Sequence, residues 1–128
     1  MERIARMFSE RRKNRSSHVS TALGYQLDAS ARRAQFSSMV LAEEQGLVVA
    51  GSGNEEDTEE IAALCPQIAS GCDLWHGRVN TARGERMVTI AAVNSPHGRL
   101  YLSGVGGSRA DIISELRRST RGVCRILA

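Results

Sequence analysis

The sequence predicts an α+β domain: a five-stranded antiparallel sheet with flanking helices on one side, in the order α-β-β-α-β-β-β-α, preceded by a basic N-terminal tail. Three observations predict it. Two apolar segments around residues 39–51 are separated by Glu43-Glu44-Gln45-Gly46, the pattern of a hairpin whose turn needs glycine at positive φ. An acidic stretch then leads into apolar residues at helical spacing. Three further apolar segments, parted by turn residues, run into a last amphipathic stretch.

Residues 1–17 read as a tail. They hold Arg3, Arg6, Arg11, Arg12, Lys13 and Arg15 against Glu2 and Glu10. Residues 2–12 can form a short helix with Ile4, Met7 and Phe8 on one side, but isolated helices of that length are marginal in water. Residues 14–17 read as a linker. The six basic tail residues are the candidate contact with an acidic partner, nucleic acid or an anionic membrane; a solvated extension is the plainer reading. The rest of the chain carries 11 basic and 12 acidic residues, so the pI of 9.1 is a property of the tail and not a nucleic-acid signature of the domain.

Residues 18–128 read as one domain, a length that supports a single self-sufficient core. Helix is expected over residues 18–34, where Val19, Leu23, Leu27 and Ala31 fall near helical spacing. Strands follow at 36–43 and 47–51. Asn54 is the N-cap candidate of the next helix, and Glu55, Glu56, Asp57, Glu59 and Glu60 crowd its start, where carboxylates complement the helix dipole. Ile61, Leu64, Cys65 and Ile68 then form an amphipathic stripe. Pro66 lies inside it and is expected to kink the helix or end its regular part early.

Three strands are expected at 74–81, 86–93 and 99–105. Residues 87–93 are apolar at nearly every site, as in a strand covered on both faces. Ser108 is expected to open the last helix, with Asp111 completing a capping box, and Gly122 to stop it. Residues 123–127 are then an apolar tail packed back on the body.

Chemistry is sparse. No apolar run nears the roughly 20 residues of a membrane helix, and the basic N-terminus lacks an apolar segment behind it, so a cytoplasmic location is expected. Lysine occurs once against sixteen arginines, a bias expected of a GC-rich bacterial genome. Aromatic residues, at 4%, are too few for stacking platforms.

Cys65, Cys72 and His76 stand as C-x6-C-x3-H, with Cys124 as a fourth zinc donor, but tight cysteine pairs are missing and reduced buried thiols are the plainer reading. Gly104-Val105-Gly106-Gly107-Ser108 offers a glycine-rich entry to a helix, yet lacks the lysine of a P-loop; a strand-to-helix turn is the plainer reading. Gly51-Ser52-Gly53 precedes carboxylates that would repel phosphate and reads as a turn. Those carboxylates bind a cation or a basic partner on one reading, and form a solvated helix start on the plainer one. No nucleophile motif or carboxylate pair compels an enzymatic reading, and no catalytic residue, cofactor or metal is assigned.

The element order, with the hairpin Val40-Leu41-Ala42-Glu43-Glu44-Gln45-Gly46-Leu47-Val48-Val49-Ala50-Gly51-Ser52, resembles the Roadblock / dynein light-chain family, a profilin-like fold. The resemblance implies a non-enzymatic dimeric module that regulates or scaffolds a protein partner, a small Ras-like GTPase in many bacterial relatives. It also implies where the dimer forms: on the helix after the hairpin and the strand after that helix. Here those contribute Ile61, Leu64, Cys65 and Ile68, with Leu74, Trp75 and Val79. Trp75, the single tryptophan, reads equally as an interface anchor or a core residue. Two alternatives stay open: a small-molecule sensor of PAS or GAF type, and a dimer that binds nucleic acid or membrane through its tail.

Overall fold

A computed structural model of the protein describes residues 16–108 and 110–128. The elements are α1 (Ser16–Ala34), β1 (Phe36–Glu43), β2 (Val48–Ser52), α2 (Glu55–Ala69), β3 (Leu74–Thr81), β4 (Gly84–Ser95), β5 (Gly98–Gly106) and α3 (Ile112–Leu127). The order is the expected one. The strands form a single antiparallel sheet in the order β2-β1-β5-β4-β3, so β2 and β3 are its edges.

The helices do not lie on one side of the sheet, as the sequence had suggested. β1 shows why. Met39, Val40, Leu41 and Ala42 are all buried, and alternate residues of a strand face opposite ways. Met39 and Leu41 pack beneath α1 and α3, with Leu23, Leu27, Leu100, Leu102, Leu116 and Val123. Val40 and Ala42 pack beneath α2, with Ile61, Cys65, Val88, Ile90, Tyr101 and Val105. The fold is therefore three layers, two helices over one face and one over the other.

The hairpin turn is held as its residues dictate. Gly46 has φ +86° and its ideal Cβ would sit 3.0 Å from the Ala63 backbone, so a side chain fits neither the turn nor the helix packed on it. The buried Glu43 closes the turn by accepting from the Gln45 and Leu47 amides at 2.7 and 3.1 Å.

Several local expectations are corrected. Ser16 and Ser17 belong to α1 rather than to a linker. Pro66 does not end α2 early: the helix runs on to Ala69, with Cys65 and Ala69 buried against the sheet on either side of the proline. α3 starts at Ile112, not Ser108, and no capping box forms: its N-cap, Asp111, makes no side-chain cap hydrogen bond. The Ser108 amide instead donates to the Ala34 carbonyl at 2.6 Å.

Gly122 does not end α3, which continues to Leu127. It is a buried interior position where α3 crosses α1, and a Cβ there would collide with the Gln26 side-chain amide. The segment read as an apolar tail is the last turn of this helix, with Val123 and Leu127 buried. Arg33 on α1 and Glu115 on α3 tie the pair by two hydrogen bonds of 3.0 and 2.9 Å. The expected helix at residues 2–12, and all six basic tail residues, lie outside the described residues. Among the described residues no helix is long and apolar enough to cross a membrane.

Candidate functional site

α2 and the edge strand β3 form the candidate surface. α2 begins as its sequence dictates: the Asn54 side chain accepts from the Asp57 amide at 3.1 Å, and Glu55, Glu56 and Asp57 occupy the first turn. Of these carboxylates Asp57 is not solvated. It is buried and accepts from the Arg86 guanidinium at 2.7 Å and the Ser38 hydroxyl at 3.1 Å. Burial pushes the Asp57 carboxyl up, but Arg86 and Ser38 outweigh it and hold it below the usual range. Arg86 also donates to the Ser37 hydroxyl at 2.7 Å, and Arg83 stands 3.8 Å from Asp57.

Glu60, one turn further on, accepts from the Ala82 amide in the β3–β4 turn at 2.9 Å. Asp57 and Glu60 thus fasten α2 to the β3–β4 hairpin, and fix the angle between the two elements of the surface. Glu55, Glu56 and Glu59 remain exposed.

The seven interface candidates divide. Ile61, Cys65 and Val79 are buried in the chain's own core, at 1%, 0% and 8% exposure, and have no surface to give a partner. Leu64, Ile68 and Trp75 are half-buried and pack along the margin of that core. The indole of Trp75 covers Gly77 two residues on, where a Cβ would lie 2.9 Å from its ring. Leu74 is exposed and faces the other side of the sheet. Among the described residues β3 pairs only with β4, so the backbone groups along its far side are not in the ladder. An apolar margin beside an open strand edge is a geometry that accepts another polypeptide, with main-chain bonds at the edge and side chains against Leu64, Ile68 and Trp75.

The other candidates come apart. Cys65 lies under α2 and Cys124 on α3, on opposite faces of the sheet. Burial pushes the Cys65 thiol up to about 12, so it is neither a nucleophile nor a ready metal ligand. Among the described residues no three His, Cys, Asp or Glu side chains gather to hold a metal. His76 is held at 2.6 Å from the Thr89 hydroxyl. The glycines at 104–107 make no anion cradle: the Phe36 ring lies over Gly104 and Gly107, and α3 begins only at Ile112.

Solved structures with this architecture decide the fold. MglB in a tetrameric arrangement superposes with a TM-score of 0.66 at 12% identity, over 85% of this chain and 90% of that one. The gliding protein MglB of Thermus thermophilus gives 0.65 at 12% identity, over the same shares. The Roadblock/LC7 domain from Streptomyces avermitilis gives 0.61 at 17% identity, over 78% and 92%. The chain has the Roadblock/LC7 fold. By sequence, no family model and no curated protein matches it. The sequence points to α2 and β3 as the interface elements, and the structure sets them side by side. The sequence missed the Asp57–Arg86–Ser38 cluster that positions them, and a charged helix start opposite a basic hairpin was the only signal for it.

Proposed function

We propose that the chain is a dimeric, non-enzymatic regulatory or scaffolding module that binds a protein partner, with a small Ras-like GTPase as the partner class. The observation that carries this reading is the open β3 edge beside half-buried Leu64, Ile68 and Trp75, held at a fixed angle to α2 by Asp57 and Glu60. A homodimer would extend the sheet edge to edge across a two-fold axis and cover those three side chains, burying apolar area at the centre of the contact. Ile61, Cys65 and Val79 then support the interface from below. Self-association is also what the tetrameric arrangement of MglB supports for a chain of this fold.

Binding is favoured over sensing because the layers on both faces of the sheet are filled by side chains of near-zero exposure. The protein acts in the cytoplasm on this reading, and residues 1–15 supply at most an auxiliary contact with an acidic surface. The test is the rate of GTP hydrolysis and nucleotide release by a small Ras-like GTPase from the same organism, with and without the purified chain. A change that saturates with added protein and disappears in Leu64→Arg supports the regulatory reading. No change and no complex refute the GTPase as partner, while a stable complex without a rate change makes the chain a scaffold.

A further inference from the structure

On the sheet face opposite α2, helix α3 does not reach the outer edge. A groove of about 360 Å³ runs between α3 and the β3–β4 pair. Its walls include Leu74 and Ile113, two of the large apolar side chains the chain leaves exposed, at 46% and 37%. Ala91 and Leu116 lie between them. Arg117 and Arg121 stand along one rim, one helical turn apart, with Asp73 as the acidic residue lining the groove.

The rim belongs to a larger charge pattern. Arg117, Arg118, Arg121 and Arg125 are all exposed on α3, and among the described residues none of them makes an ion pair. The only acidic residue within α3, Glu115, is buried and bonded to Arg33. The exposed carboxylates Glu55, Glu56 and Glu59 lie on α2, over the opposite face. Of the four arginines, Arg117 and Arg121 stand beside the exposed apolar wall and form no ion pair among the described residues.

We propose that this groove docks an acidic amphipathic segment of a partner protein. The apolar face of such a segment covers Leu74 and Ile113, and carboxylates one turn apart on it accept bidentate bonds from Arg117 and Arg121. Charge decides among the occupants. The chain's own residues 1–15 carry six basic residues against two acidic, the wrong sign for this rim. A second copy meeting the groove about a two-fold axis brings its own Arg117 and Arg121 against these. The lining residues all come from one chain, and because Leu74 stands on the β3 edge that the proposed dimer pairs, the mass of each variant is measured beside its peptide binding.

The probe is a fluorescein-labelled peptide of three Leu-Glu-Glu-Leu-Leu-Glu-Glu heptads, followed by anisotropy with the full chain. Saturable binding is expected, weakened at least about tenfold by the double variant Arg117→Glu/Arg121→Glu, as loss of two charge-assisted bonds requires. Ile113→Ser and Leu74→Ser, on the apolar walls, weaken it independently of the arginines. All four positions are exposed, and thermal melts establish that the variants fold.

The proposal is overturned if the chain does not bind the peptide, or if a peptide with the leucines shuffled off one face binds equally. It is also overturned if phosphatidylserine vesicles or duplex DNA bind more tightly, with the same arginine dependence and none on Ile113. In that case the helix is a general polyanion surface. A mass above dimer that Arg121→Glu reduces would make a second copy the occupant and overturn it likewise.

Discussion

Arg86 of β4 and Asp57 of α2 meet at 2.7 Å across 29 residues of sequence, with Asp57 4% and Arg86 18% exposed. The pair joins the first turn of α2 to the hairpin that carries the open edge, and Ser38 of β1 donates a second bond to the Asp57 carboxylate. Removing one member strands the other. Arg86→Ala is expected to cost about 3 kcal/mol, the lower end for a broken buried pair because Arg86 keeps some solvent contact. Urea unfolding measures it, and a loss below about 1 kcal/mol, the scale of a surface pair, would show that the pair is screened.

Acid should act through the same pair. Asp57 and Glu115 are both held below their ordinary values of 3.8 and 4.5: burial raises each, and the guanidinium of Arg86 or Arg33 more than reverses it. A carboxylate with a depressed folded-state pKa adds stability that is present above its unfolded value and is lost as pH falls through the folded one. Stability is therefore expected to be flat near neutrality and to drop below about pH 4. The gap between wild type and Asp57→Asn should close over that same range. A gap that stays constant down to pH 2 would contradict this.

Two glycines separate soft from hard packing. At Gly104 an added Cβ meets the Phe36 ring at 2.6 Å, and Phe36 is itself buried at 7% exposure. At Gly122 it meets the far end of the Gln26 side chain, which can swing away at the cost of a 3.3 Å bond to Ser30. Gly104→Ala is expected to destabilise by about 1–3 kcal/mol. Gly122→Ala is expected to be near neutral, since the roughly 1 kcal/mol gained in helix propensity offsets the rearrangement. Thermal melts of the two variants should differ in that order.

Pro66 gives a prediction of opposite sign. It removes one backbone bond within a helix that continues to Ala69. Pro66→Ala is expected to stabilise by about 1–3 kcal/mol, in the direction of the helix-interior penalty of proline. A melt that falls would mean the proline shapes the margin around Leu64 and Ile68.

What the sequence disclosed follows from what is local. β1 and β3 were legible to the residue, because turn residues bound them and apolar residues fill or alternate along them. Asn54 was legible because a cap acts three residues away. The end of α3 was not. Gly122 has the residue type of a helix stop, and only the nearness of Gln26 on another helix explains a glycine in the interior. Helices on both faces were hinted at by the four consecutive apolar residues at 39–42, which no one-sided sheet requires.

The candidate surface was half legible. The stripe Ile61, Leu64, Cys65 and Ile68 is continuous in sequence, but which of its members the sheet consumes depends on how α2 is rotated. That rotation is set by Asp57 and Glu60, whose partners lie 29 and 22 residues away.

The central claim is that the chain pairs through α2 and β3, and the most direct test is multi-angle light scattering of wild type and Leu64→Arg at matched concentrations. A wild-type mass of two chains, reduced to one by Leu64→Arg while the thermal melt stays cooperative, is the predicted result. A single-chain mass for both up to high micromolar concentration would contradict the account.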